Sequence, residues 1–196
     1  RSTLKSWYLD SVAMKTTNAF SQFFFAEEVP YGPALTRILL TLVLFVVLVP
    51  RWFDAREIYS SDGAPAPLAV AYGFYELLPV PDGTTAVVLM TILLFTLATS
   101  CIGWCTRLSL IVATVTFAWL NMLDSLSTLT KYSVIATHGL LLLSMSHCGA
   151  VWSLDCLLKR RTSEQSSHDD VQAFPVWPRR LMQFLIGMVY LGAAFT

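Results

Sequence analysis

The chain has 196 residues, of which 55% are hydrophobic and only 13% are charged, and its mean hydropathy is +0.60. Soluble domains usually carry about 25% charged residues, so this composition excludes an ordinary water-soluble domain. Basic and acidic residues are balanced at 13 each, which excludes the strongly basic surface of a nucleic-acid-binding protein. The sequence predicts an integral membrane protein whose surroundings are lipids, with no nucleic-acid partner.

The N-terminal region, residues 1–31, mixes aromatic side chains with lysines. This pattern is typical of an amphipathic helix that lies in the membrane interface. A first helix packed on the bundle is the alternative interpretation. We therefore separate an interfacial N-terminal helix, residues 1–31, from a transmembrane bundle, residues 32–196.

Five apolar stretches approach the roughly 20 residues that a spanning helix needs. They cover 34–49, 85–102, 108–123, 132–148 and 181–196, and Pro50 is predicted to end the first. The second and third are joined by a short turn, which predicts an antiparallel hairpin. The predicted fold class is an all-α integral membrane protein with a bundle of about five transmembrane helices.

The two longest connections differ in composition. The loop 51–84 contains prolines and Asp-Gly pairs, which are turn signals, around an apolar run at 68–78. That run is too short to span, so we expect a re-entrant or surface helix on the outer side. Residues 159–178 contain several Ser and Asp residues and are predicted to be a cytoplasmic linker.

The positive charges predict the orientation, because cytoplasmic loops carry an excess of Lys and Arg. With five spans, nine Lys and Arg residues fall on the side of the N-terminus and three on the opposite side. The N-terminus is therefore expected in the cytoplasm.

Small and hydroxyl side chains recur along the second and third stretches and would permit close helix packing. They are Thr91, Thr96, Ala98, Thr99, Ser100, Ala113, Thr114 and Thr116. The four cysteines have no CxxC spacing and are interpreted as buried small side chains. No metal site is predicted.

Two ionisable residues within the predicted spans are candidates for function. Arg37 lies one turn inside the first span, where it could snorkel to the cytoplasmic headgroups, form an internal ion pair or contact a substrate. His138 lies about two turns into the fourth span. It could be a structural histidine bonded to a neighbouring helix carbonyl or take part in proton transfer.

Lys131 and Tyr132 stand at the outer mouth of the fourth stretch. Desolvation could lower the lysine pKa and make it a base, although Lys and Tyr at a helix end are also common interfacial anchors. The spans contain no Ser/His/Asp or Cys/His order, no HExxH and no paired carboxylates. Composition and spacing alone therefore predict a membrane bundle but no reaction.

Three passages resemble a known family. In the first, the aromatic run Phe23-Phe24-Phe25 precedes Arg37 near the start of the first span. In the second, Val151 to Leu158 contains Trp-Ser-x-Asp-x-Leu-Leu. In the third, the last stretch, Phe184 to Thr196, contains Tyr190 among small residues. In this order they resemble the horizontally transferred transmembrane (HTTM) domain, the membrane part of vitamin K-dependent gamma-carboxylase and its bacterial relatives. The resemblance covers the chain from about Phe20 onward.

The resemblance implies quinol-dependent chemistry. In the carboxylase a reduced quinone is oxygenated to an epoxide, and the base so produced removes a proton from a glutamate side chain before carbon dioxide adds. The family's proposed initiating lysine would fall directly after Thr196, outside this sequence. A family histidine before a serine falls on Tyr132, before Ser133.

Two functional hypotheses follow. In the first, the chain is an enzyme domain of the carboxylase or epoxidase type that holds a reduced quinone or lipid in a cavity open toward the outer leaflet. Its candidate catalytic residues are Lys131, Tyr132 and His138, and its candidate substrate- or lipid-binding residues are Arg37, Asp155 and Tyr190. In the second, the chain is a non-catalytic transmembrane subunit of a larger complex and contacts other membrane proteins.

Overall fold

The computed structural model describes residues 21–68, 79–124, 131–162 and 173–195. Within them a two-stranded antiparallel sheet accompanies the helices, and its strands are β1 (Glu27–Glu28) and β2 (Phe174–Pro175). The helices are α1 (Tyr31–Phe53), α2 (Ala55–Tyr59), α3 (Gly83–Ile102), α4 (Thr106–Leu123), α5 (Lys131–Met145), α6 (Leu154–Thr162) and α7 (Trp177–Ala194).

Within the described ranges, three helices are long and apolar enough to cross a membrane: α1, α3 and α4. A mostly helical integral membrane protein is therefore confirmed, whereas the predicted count of five spans is not. Helix α5 is apolar but has only 15 residues, about 22 Å at 1.5 Å per residue, against a hydrocarbon core of about 30 Å. Helix α7 has 18 residues and carries Arg179 and Arg180 in its first turn.

The prediction that α1 stops at Pro50 is wrong by one turn, because the helix continues to Phe53. Proline lacks the N–H that would bond the carbonyl four residues earlier, which weakens a helix without always ending it. Beyond Phe53, Asp54 separates α1 from the short helix α2.

The core lies where α1, α3, α4 and α5 pack against one another. Leucines fill most of it, and Tyr59, Phe117 and Met90 are the largest other side chains. The fully buried leucines are Leu93, Leu97, Leu110, Leu120, Leu123, Leu140 and Leu143. The outward faces are apolar as well, which is the surface expected for helices that contact lipid.

The α3–α4 hairpin is confirmed. Gly103 caps α3 in the left-handed conformation, with φ of 82°, which glycine adopts without steric cost. Thr99 donates to the Ser109 hydroxyl across the hairpin at 3.1 Å. Most of the hydroxyl residues predicted to permit close packing are buried, whereas Thr91 is exposed and accepts a bond from Trp52 Nε1.

Several predicted segments lie partly or wholly outside the described residues. The interfacial helix is described only from residue 21, with 21–25 helical, and the run 68–78 only at Leu68, which is helical. The predicted linker 159–178 contains the end of α6, strand β2 and the start of α7 in its described parts. Strand β2 pairs with β1, so Glu27 faces Pro175 and the chain ahead of α1 is joined to the chain ahead of α7.

Candidate functional site

A segment that follows α5, residues 148–156, lies across one end of the bundle. The beginning of α1 and the α3–α4 turn meet at the same end, since Arg37 and Cys105 both bond to this segment. The turn 146–149 leads into it, and α6 leaves it at Leu154. The 148–156 segment therefore connects three parts of the chain that are remote in sequence.

Arg37 holds the segment to α1. Its side chain is completely buried, and its guanidinium donates to the Cys148 carbonyl at 2.8 Å and to the Trp152 carbonyl at 2.7 Å. Among the described residues it has no carboxylate partner within 4.0 Å, and its Nε has no hydrogen-bond partner. Arg37 thus neither snorkels to the headgroups nor forms an ion pair in the described structure. Carbonyl dipoles near the C-terminal end of α5, which carries partial negative charge, stabilise the cation instead.

Asp155 holds the same segment to α4. Its carboxylate accepts from the backbone N–H groups of Cys105 and Thr106 at 2.9 and 3.0 Å, and from the Thr106 hydroxyl at 2.9 Å. Asp155 N–H donates to the Gly103 carbonyl at 3.1 Å. Free N–H groups at a helix N-terminus attract a carboxylate, so Asp155 caps α4 from a distant part of the sequence.

Close backbone approach makes this junction compact. A Cβ added to Gly103 would lie 2.5 Å from the Ser153 Cβ, and one added to Gly149 would lie 2.9 Å from the Thr106 hydroxyl oxygen. Ser153 Oγ accepts from Cys156 N–H at 3.0 Å and so caps α6. Trp152, with φ of 52°, adopts the left-handed conformation, and its side chain is 57% exposed.

Trp152 borders the first of two grooves at this end. This aromatic groove has a volume of about 490 Å³. The Tyr31 and Trp152 rings lie 5.6 Å apart at 50°, and both are about half exposed. The rest of the lining is mostly aliphatic: Ile102, Ala150, Val151, Ser153, Leu154, Cys156 and Leu157. Such a groove suits a flat or branched apolar ligand.

The second groove, here called the basic groove, has a volume of about 450 Å³ and shares Ala150 with the first. Arg107 and His147 are its basic residues, and Asp155 is its acidic one. The remaining lining residues are Cys105, Thr106, Leu108, Ser146, Gly149, Ala150 and Phe174.

His147 is held between an arginine and a phenyl ring. Its Nε2 lies 3.4 Å from an Arg107 guanidinium nitrogen, and its ring stacks on Phe174 with centroids 4.1 Å apart. Partial burial, and secondly the charge of Arg107, lower the pKa of His147 below its ordinary value of 6.5. The neutral imidazole can accept from Arg107, whereas the imidazolium cannot.

The other candidate residues lie elsewhere. Tyr132 and Tyr190 are 83% and 74% exposed, and His138 is exposed with its Nδ1 2.8 Å from the Val134 carbonyl of its own helix. Tyr132 is the second residue of α5 whereas Arg37 bonds to the chain beyond the end of that helix, so about 20 Å of helix separates them. The structure brings Arg37 and Asp155 to one junction, but it does not gather Tyr132, His138 and Tyr190 around Arg37. Lys131 is the first residue of α5, and its side chain is not described.

Sequence reasoning gave no site role to Tyr31, Arg107, His147 or Trp152. Trp152 entered only as part of the Trp-Ser-x-Asp resemblance. A usable signal was present there, because serine three residues before the Cys156 amide is a helix N-cap pattern. Within the described ranges no three His, Cys, Asp or Glu residues are grouped to hold a metal ion.

Comparison with known proteins gives one family. The HTTM domain model matches residues 30–196, which is most of the chain and includes both grooves. No curated protein and no solved structure matches the chain.

The geometry of His147 predicts a pH-dependent stability. Because its pKa is lower in the folded chain than in the unfolded chain, the unfolded chain binds more protons as the pH falls below about 6.5. Stability contributed by neutral His147 is complete above that pH and is lost as the pH falls through the folded pKa. We expect the denaturation midpoint in detergent to fall over this range in the wild type and to fall less in His147→Gln. Glutamine can still accept from Arg107 but does not titrate, so parallel curves for the two proteins would contradict this assignment.

Proposed function

The chain belongs to the HTTM domain family, and we propose that it is an integral membrane protein that binds a quinone, with the aromatic groove as the binding site. The observation that carries the proposal is the pair of half-exposed rings, Tyr31 and Trp152, in a groove of about 490 Å³. The resemblance to the carboxylase supplies the quinone as the ligand class.

The chemistry of the lining supports a flat apolar ligand. Offset or tilted aromatic rings attract a planar ring by about 0.5–1.5 kcal/mol beyond area burial, and Tyr31 and Trp152 present two such rings. Ile102, Leu154 and Leu157 provide the aliphatic contacts that an isoprenoid tail would need. A bound quinone would supply redox chemistry, while these residues would bind and orient its ring.

The position of the groove also favours a ligand that arrives through the membrane. Tyr31 is the first residue of α1 and Ile102 the last of α3, and both helices are candidate spans. In the topology that we propose, the groove lies at the level of a membrane–water boundary, at the opposite end of α5 from Lys131 and Tyr132.

The groove is better suited to binding than to proton abstraction from carbon. Among its described lining residues the only titratable side chains are Tyr31 and Cys156, and there is no carboxylate, lysine or histidine. We therefore propose quinone binding without extending the proposal to carboxylation of glutamate.

A non-catalytic subunit role is the second candidate. Helix α7 packs against α5 but exposes large apolar side chains, including Phe184 and Tyr190, which are 65% and 74% exposed. Phe195, directly after the helix, is 84% exposed. A membrane partner could cover this face. Purification of a fixed-stoichiometry complex that carries no quinone would favour this role over the first.

The finer membrane topology that we propose has five crossings, formed by α1, α3, α4, α5 and α7, with the N-terminus in the cytoplasm. The excess of positive charge near the α3–α4 turn and the start of α7 supports this orientation. The antiparallel path of the helices supports it as well, because the 148–156 segment after α5 contacts the α3–α4 turn.

Trp152→Ala is expected to weaken binding of a short-chain quinone about tenfold, since a stacked aromatic contact of roughly 1.4 kcal/mol is lost. The measurement is a titration of the purified full chain in detergent with short-chain ubiquinone and menaquinone. Trp119→Ala is the matched control, because Trp119 lines a separate apolar groove of about 400 Å³ near Pro79 and Pro81. If Trp119→Ala lost quinone binding and Trp152→Ala retained it, the quinone would be assigned to the groove at Trp119 instead. If the wild type bound no quinone, the proposal would be rejected.

The topology is testable with single cysteines and a membrane-impermeant maleimide. Cys105 is exposed at the α3–α4 turn, and with the other three cysteines replaced by serine we expect it to react only in inside-out vesicles. In a background with all four native cysteines replaced by serine, Ser61→Cys and Phe195→Cys occupy exposed positions and should react only in right-side-out vesicles. Reaction of Cys105 in right-side-out vesicles would contradict the proposed orientation. Reaction of the cysteine at position 195 in inside-out vesicles would contradict five crossings.

A further inference from the structure

The basic groove is a second feature that quinone binding does not use. We propose that it binds the phosphate of an anionic membrane lipid, with Arg107 as the principal contact and His147 beside it. The site is separate from the aromatic groove, and its charge and position, rather than aromatic stacking, suit it to an anionic ligand.

The charge of Arg107 is available to a ligand. Arg107 is exposed, and among the described residues no carboxylate lies within 4.0 Å of its guanidinium nitrogens. Its contact is with the uncharged acceptor His147 Nε2 at 3.4 Å. A guanidinium with a neutral neighbour retains donors for a phosphate, which it can bind through two parallel hydrogen bonds.

The carboxylate of Asp155 repels an anion in this groove only weakly. Asp155 lines the same groove, but its oxygens accept from two backbone N–H groups and one hydroxyl at the start of α4. The partial positive charge of that helix terminus offsets the carboxylate charge. The other acidic side chain near His147, Glu28, forms an ion pair with Arg179 at 2.7 Å. The unpaired charge of this region is therefore positive.

The depth of the groove matches that of lipid phosphates. Arg107 is the second residue of α4, and His147 follows the end of α5 by two residues. Both positions are at helix ends, where a spanning helix leaves the hydrocarbon and meets the headgroups. Basic pockets between helix ends on the cytoplasmic side are recognised sites for anionic headgroups, and this commits the proposal to a lipid rather than to a soluble phosphate.

The test compares lipid binding by the full chain in neutral detergent, using native mass spectrometry with phosphatidylglycerol and phosphatidylcholine. We expect phosphatidylglycerol to bind preferentially and Arg107→Gln to weaken it about fivefold, the effect of roughly one cationic contact at a membrane surface. Arg51→Gln is the matched control, since it removes the same charge from the last turn of α1 at the opposite end of the bundle. Arg107→Lys keeps the charge and should retain most of the binding if Arg107→Gln proves unstable.

Equal binding of the two lipids, or equal losses in Arg107→Gln and Arg51→Gln, would overturn the proposal. If millimolar inorganic phosphate displaced phosphatidylglycerol as effectively as added lipid does, the assignment of the site to a lipid would be overturned. Trp152→Ala should leave the preference for phosphatidylglycerol unchanged. The lipid-binding result is therefore independent of the quinone-binding result, and either proposal can fail without the other.

Discussion

The buried cation of Arg37 is the constraint on which this end of the bundle depends. Burying an arginine within a spanning helix costs free energy unless its N–H groups find hydrogen-bond acceptors. Here the acceptors are the carbonyls of Cys148 and Trp152, which lie more than 100 residues away in sequence. Those carbonyls can meet it only if the chain after α5 turns back over the start of α1. Asp155 completes the arrangement from the other side by capping α4. A cation near one helix C-terminus and an anion at another helix N-terminus both have the sign that the helix dipoles favour.

Both grooves are consequences of this junction. Because the 148–156 segment is fixed to α1, Trp152 lies beside Tyr31 and forms the aromatic groove. Because it is also fixed to the α3–α4 turn, the chain just before it places His147 near Arg107 and forms the basic groove. The two sites thus have different chemistry, one apolar and one cationic, on a shared backbone support. A quinone and an anionic lipid would approach from the same membrane boundary without competing for the same side chains.

Sequence patterns predicted the parts of this structure that depend on local properties. Hydropathy predicted the long apolar helices, and Gly103 with its short turn predicted the α3–α4 hairpin. The charge of Arg37 within a span and the family resemblance singled out Arg37 and Asp155. No pattern shows that Arg37 bonds to the segment that contains Asp155, because the acceptors of Arg37 are backbone carbonyls, which every residue possesses. Tyr31, Arg107 and His147 were not predicted for the same reason: tertiary contacts bring them together, and no spacing along the chain marks them.

Hydrogen exchange of the 148–156 segment in Arg37→Met, in detergent or in a lipid disc, measures most directly whether Arg37 holds this segment in place. Methionine keeps an apolar side chain of similar length but donates no hydrogen bonds. We predict that amides of this segment, including that of Asp155, exchange at least about tenfold faster, because each charge-assisted bond is worth roughly 1.5–3 kcal/mol. Amides in the middle of α3, and all amides in an Arg51→Met control, should be unchanged. Unaltered exchange of the 148–156 segment in Arg37→Met would contradict the central role of this arginine.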